Sequence, residues 1–224
     1  MPRSKRITKG GIVYHVLNRA NSRLRIFKKK ADFAAFENIL SQGIDRLNMR
    51  LCGYCIMGNH WHMIIWPRQD GDVSEFMQWV TVTHSVRWHT SHGTVGIGHL
   101  YQGRYKSFPI QSDKHYLTVM RYVEANPLRA GIVKSALDWP WSSLAQRLGQ
   151  TKDIKLSKGP LDLPMNWKKL VAMAVDQEAK TQLENCIRRG RPFGSRQWIT
   201  KTAVKLNLES TLRPRGRPRK KQQS

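Results

Sequence analysis

Residues 49–66 read MRLCGYCIMGNHWHMIIW: two apolar runs of strand length joined by the turn pair Gly58 and Asn59. So short a link between two such runs predicts an antiparallel hairpin. On its second strand, residues i and i+2 share a face, so His60 and His62 point to one side and Trp61 and Met63 to the other. Two imidazoles converging on one side are either two corners of a metal site or the polar face of a half-buried strand.

Working outward, GIVYHVLNRA (11–20) alternates as a first strand, with Val13, His15 and Leu17 on one side. KKADFAAFENILSQGIDRLN (29–48) spaces Phe33, Phe36, Leu40 and Ile44 as an amphipathic helix. VSEFMQWVTVTHSVRWHTSHG (73–93) reads as a second helix with its face through Trp79, Val82 and Val86. GHLYQGRYKSFPI (98–110) is a loop leading into a strand. SDKHYLTVMRYVEAN (112–126) is a third helix, capped by Ser112 or Asp113 and ended near Pro127. The order strand, helix, hairpin, helix, strand, helix predicts an α+β fold: a four-stranded antiparallel sheet with helices packed on it, in a ferredoxin-like layout. The polar, turn-rich GQTKDIKLSKGPLDLP (149–164) suggests a boundary. We therefore expect a main domain over 1–147, a linker over 148–164, and a small helical, basic extension over 165–224.

The chain of 224 residues carries a formal net charge of +24, a surplus that points to a polyanion, with nucleic acid ahead of an anionic membrane. No run of about 18 apolar residues offers a membrane span, and no apolar core follows the basic lead MPRSKRITKGG. Cys52, Cys55 and Cys186 are too few and too unevenly placed for a disulfide framework. Together these point to a soluble, intracellular protein.

On the third helix Tyr122 and Asn126 are four residues apart and project about 40° from each other, so both reach one spot. If that helix crosses the sheet near the His pair, Asn126 offers an amide oxygen to a cation and Tyr122 a phenol to whatever the cation binds. Tyr122 also fits as an ordinary amphipathic Tyr at the edge of the apolar arc of Tyr116, Val119, Met120 and Val123. Tyr116 lies about 120° away within that arc. Glu124, two residues from each, points elsewhere and reads as structural. A rival zinc grouping of Cys52 and Cys55 with the His pair needs a turn at Gly53 and Tyr54, because strand residues i and i+3 face opposite sides.

GNHWHMIIW, GHLYQGRYKS, RYVEANPLRAG, DWPWSS, GRPFGSRQWI and ESTLRPRGRPRK, in that order, resemble the REP-associated tyrosine transposases. These belong to the His-hydrophobic-His (HUH) single-strand nucleases and are relatives of the one-tyrosine insertion-sequence transposases. The likeness implies that His60 and His62 are metal ligands, Asn126 the third ligand and Tyr122 the catalytic tyrosine. Gly58 departs from the family, which often has proline there. The implied activity is that of a bacterial, cytoplasmic, nucleoid-associated transposase. It would be an endonuclease and strand transferase on single-stranded hairpins of palindromic repeats, acting through a 5′-phosphotyrosine as a monomer or homodimer. The implied cofactor is Mg²⁺ or Mn²⁺; His-rich ligation alone favours manganese or zinc. The alternative is a non-cleaving repeat-binding factor or repressor on the same fold.

For DNA contacts the candidates are Arg3, Lys5, Arg6, Arg104 and Lys106, with Arg213, Arg215, Arg217 and Arg219 in the tail. That tail resembles Arg-Gly-Arg-Pro arms drawn into narrow minor grooves. SRQWITKTAVKLNL (195–208), with the helix before it, fits a helix-turn-helix pattern.

Overall fold

A computed structural model describes residues 7–150, 154–173 and 176–213. Its centre is an antiparallel sheet in the order β2-β3-β1-β4, formed by β1 (Val13–Arg19), β2 (Arg50–Met57), β3 (His60–Trp66) and β4 (Lys106–Ile110). This is the α+β, ferredoxin-like arrangement expected. β2 and β3 form the hairpin, with Met57 opposite His60 across Gly58 and Asn59.

Strand alternation sorts the side chains into two layers. Tyr14, Val16, Tyr54, Ile56, Trp61, Met63 and Ile65 face α1 (Lys30–Leu47) and α2 (Asp72–Ser91) in a core rich in aromatic rings. Val13, Cys55, Met57, Ile64, Phe108 and Ile110 face α3 (Lys114–Glu124), which runs into the short α4 (Asn126–Arg129). Asp113 caps α3, its carboxylate accepting the His115 backbone N–H at 2.9 Å.

α3 packs closely because Gly53 has no side chain: a Cβ there would lie 2.8 Å from the Met120 Sδ. A register shift between Leu51 and Gly53 breaks the alternation of β2. In consequence Cys52 and Cys55 both lie on the α3 side, as free, buried thiols.

α2 differs from the sequence reading. Its buried residues are Val73, Phe76, Met77, Val80, His84 and Trp88, whereas Val82 and Val86 are 56% and 60% exposed. The inward stripe continues through His84, which is stacked on Phe27 at 5.3 Å and paired through Nδ1 with the Tyr101 hydroxyl at 2.6 Å. A histidine with such a partner costs little to bury, so the phase that includes it wins.

Both edges of the sheet are covered. Along β2, the Ile56 N–H donates to Trp141 O (2.9 Å) and the Ser157 N–H to Leu51 O (2.8 Å). The DWPWSS segment is thus an edge cover, with Trp139 Nε1 donating to Ile56 O and Trp141 stacked on Phe33. Along β4, the Phe193 N–H donates to Pro109 O and the Gln111 N–H to Phe193 O, each at 2.9 Å.

The segment expected as a linker packs on this body: Ile154 is 1% exposed and Leu156 lies against the α1/α2 core. Of the helical extension, α6 (Trp167–Ala172) and α7 (Gln177–Arg189) bury Trp167, Val171, Leu183 and Cys186 in the α3 layer. α8 (Arg196–Lys205) follows α7, Ser195 capping it by accepting the Trp198 N–H. No helix among the described residues is long and apolar enough to cross a membrane.

Candidate functional site

β3 turns His60 and His62 toward the α3 layer, their ring centroids 5.1 Å apart. α3 brings Tyr122 to them, edge-on to the His62 ring at 6.2 Å. Tyr122 and Asn126 are each 5% exposed. Arg129, one turn past Asn126, joins the two: its guanidinium carbon lies 3.7 Å from the Tyr122 ring centroid, and its Nη2 donates to Asn126 Oδ1 at 3.1 Å. Four candidate residues from β3, α3 and α4 thus meet in one place, together with an arginine that the sequence reading did not single out.

Each imidazole is held at Nδ1. His60 Nδ1 lies 2.6 Å from Asn59 Oδ1, an acceptor, so the ring proton sits there and Nε2 is left as a lone pair. His62 Nδ1 lies 2.9 Å from Nε2 of His15, a β1 residue with no exposed surface. Burial is the main cause that holds His60 down to about 4, with Arg19 and Arg129 adding to it. His62 is held well below the usual imidazole range, by burial first and then by His15, His60, Arg129 and Arg19. Both rings are therefore neutral at pH 7, the protonation state a metal ligand needs.

Glu124 is absent from this cluster. Fully buried, it faces the other way and accepts hydrogen bonds from Ser143 Oγ (2.5 Å), Trp167 Nε1 (2.7 Å) and Arg147 Nε (3.2 Å). It thereby ties α3 to α5 (Ser143–Arg147) and to α6. Tyr116, the competing tyrosine, is buried beside Cys52 and Gly159, with its phenol pushed up by burial. Among the described residues no three His, Cys, Asp or Glu side chains form a metal-binding group, so the CxxC zinc grouping is not assembled.

Among the described residues no carboxylate joins the two imidazoles in a metal-binding group, and the imidazoles and the amide sit among cations. Arg19 is paired with His60 across β1 and β3, which puts it on the same face of the sheet. Lys106 pairs with Leu17, itself opposite His62, and is exposed on that face. Arg104 is exposed in the 98–105 loop, where it lines a groove of about 890 Å³ between that loop and α2. Asn18 also lines this groove, from the sheet face opposite the His pair, so the groove is separate from the site. Arg213 is exposed, and its carbonyl accepts from Arg189. Arg3, Lys5, Arg6, Arg215, Arg217 and Arg219 lie outside the described residues.

The chain matches the family described as "Transposase IS200 like" over residues 8–126, more than half its length. This protein belongs to the IS200-like transposase family. Within that family it is similar to the REP-associated tyrosine transposase of Escherichia coli K12: 24% identical over 135 residues, covering 60% of this chain and 77% of that protein. A solved structure of a REP-associated tyrosine transposase bound to a REP hairpin matches with a TM-score of 0.54 at 19% identity. That match covers 73% of this transposase and all of the other chain, and at such identity the likeness is one of fold. The motif resemblance and the fold expected from the element order are thus borne out.

His15, Arg19 and Arg129 were missed from sequence. Arg129 was within reach, three residues after Asn126 and so on the same side of a helical turn. His15 was read onto one side of β1, but which helix layer that side meets is a matter of strand order.

Proposed function

We propose that this transposase is a metal-dependent single-strand DNA endonuclease and strand transferase that cleaves at palindromic repeat hairpins through Tyr122. The observation that carries the reading is the meeting of His60, His62, Tyr122 and Asn126 on one face of the sheet, beside Arg129. The relative solved with a REP hairpin supports such a hairpin as substrate.

The donors fit a divalent ion. His60 offers Nε2, and Asn126 Oδ1 keeps a second lone pair beyond its bond from Arg129. Neutral donors among cations favour an ion that arrives with an anion, as phosphate would provide. Bound by His60, His62 and Asn126, Mg²⁺ or Mn²⁺ would supply Lewis-acid polarisation of the scissile phosphate and offset charge on the leaving oxygen.

The chain's own groups do the rest. Tyr122 Oη attacks phosphorus, the bond to the 3′ oxygen breaks, and the phenolic proton leaves so that a free 3′-hydroxyl and a 5′-phosphotyrosine result. An incoming 3′-hydroxyl reverses the step on another strand and returns the phenol, and the ester bond is conserved without ATP. A free phenol is only about one part in a thousand ionised at neutral pH. Arg129, stacked on the ring, favours the negative charge that grows on its oxygen. Arg19 and Lys106 would hold flanking phosphates, and Arg104 and the tail cations would add to the electrostatic contact. We further assign catalysis to residues 1–147 and additional DNA contact to the basic region 165–224, with 148–164 connecting them.

The test is a cleavage assay on end-labelled single-stranded repeat hairpins with Mg²⁺ or Mn²⁺. A denaturation-resistant protein–DNA adduct that needs the metal and vanishes in Tyr122→Phe is expected. Hairpin binding without an adduct under both metals would instead identify a non-cleaving repeat-binding protein.

A further inference from the structure

We infer that His15 is a positioning residue for the metal-binding nitrogen of His62, an inference that rests on the metal-dependent reading above. The 2.9 Å contact between His15 Nε2 and His62 Nδ1 holds one proton between two nitrogens. The side that owns this proton decides what His62 presents to the site.

A ligating imidazole is neutral and carries one N–H, so each ring of this pair has one proton to place on one of its two nitrogens. If His15 Nε2–H donates, His62 accepts at Nδ1, and its own proton sits on Nε2, where it blocks ligation. If His62 Nδ1–H donates, His62 Nε2 is a lone pair and can bind a cation, and the His15 proton moves to Nδ1. His15 Nδ1 is enclosed and has no hydrogen-bond partner among the described residues. Ligation by His62 therefore depends on His15 accepting at Nε2 while tolerating a buried, unpaired N–H on its far side.

The surroundings fix His15 for this task. Its ring stacks on His62 at 5.0 Å with an interplanar angle of 25°, and Phe108 lies behind it at 4.9 Å. A ring so held cannot swing to another partner. Outer partners of this kind orient ligating imidazoles, and their loss typically weakens metal affinity by about 10- to 100-fold.

Two replacements separate the hydrogen bond from shape. His15→Phe keeps a planar ring but offers no acceptor; His15→Gln places an amide oxygen near the position of Nε2 and holds no tautomer to exchange. We expect Mn²⁺ titrations of the full chain, followed by electron paramagnetic resonance, to show affinity about 10- to 100-fold weaker for His15→Phe. His15→Gln should bind within about threefold of wild type, because the acceptor to His62 is kept. Melting curves for both establish that each is folded. Independently of any variant, long-range ¹H–¹⁵N spectra of the wild-type imidazoles should show the His15 proton on Nδ1 when Mg²⁺ is bound.

Equal affinity of His15→Phe and wild type, equal weakness of Phe and Gln, or a His15 proton still on Nε2 with Mg²⁺ bound would overturn the role of His15. Mn²⁺ affinity unchanged in His62→Ala would instead overturn the metal reading itself, and the inference with it.

Discussion

The two faces of the sheet differ in what their buried polar groups meet. Toward α1 and α2, the Trp61 indole donates to Tyr101, Tyr101 pairs with His84, the Tyr54 hydroxyl donates to Glu37 and the Trp88 indole donates to Ile26 O. Toward α3, His15 Nδ1, Asn126 Nδ2 and the Arg129 Nε and Nη1 are enclosed with no partner among the described residues. On the proposed reading, the unpaired groups on the α3 side lie where a ligand would bind, at some cost in stability. The first face packs the aromatic core; the second carries the residues to which we assign the reaction.

The sharpest way to break this contrast uses adjacent residues of β3. Trp61→Ala, which empties a fully buried position on the α1/α2 face, should cost about 3–5 kcal/mol in denaturant unfolding. His60→Ala, one residue earlier and facing α3, should leave stability within about 1 kcal/mol of wild type and reduce adduct formation to background. Comparable stability loss in both variants would mean that the His face is structural too.

Arg129→Gln should slow adduct formation by about 100-fold or more through lost charge stabilisation, with hairpin affinity in gel shifts changed far less. A fall in affinity equal to the fall in rate would make Arg129 a phosphate anchor rather than a partner of the phenol.

Acid should weaken the fold in a defined window. His15 and His84 titrate near 3 in the folded chain because both are buried, against 6.5 for an ordinary imidazole. Between those values the unfolded chain binds more protons, so stability rises with pH. It is fully present above about 6.5 and drains away as pH falls toward about 3. Denaturant midpoints at pH 5 should therefore lie below those at pH 7, with little change between pH 7 and 8 from these groups. His84→Phe should flatten part of that slope.

The smallest effect is expected on the outward side of α2. Val82→Ser and Val86→Ser should each change stability by no more than about 0.5 kcal/mol, whereas Phe76→Ala on the inward side should cost about 3–5 kcal/mol.

That last contrast shows where sequence reading stopped. Val82 and Val86 look apolar and His84 does not, so periodicity alone placed the wrong stripe inward. Only the Tyr101 hydroxyl, brought in by the 98–105 loop, makes His84 the better residue to bury. The β2 bulge was hidden for a related reason: the shift past Cys52 answers to how closely Met120 of α3 must approach Gly53.

The sequence by itself determined the hairpin, the alternation that sets His60 and His62 against Trp61, and the helical spacing that pairs Tyr122 with Asn126. These are local regularities, fixed by the period of two in a strand and 3.6 in a helix. Tertiary structure alone decided that β1 lies beside β3 and brings His15 to His62, that Arg19 faces His60, and that Arg129 folds back over Tyr122. Such contacts depend on strand order and on how a helix lies across a sheet, and residues 47 apart in the chain carry no local signal of meeting.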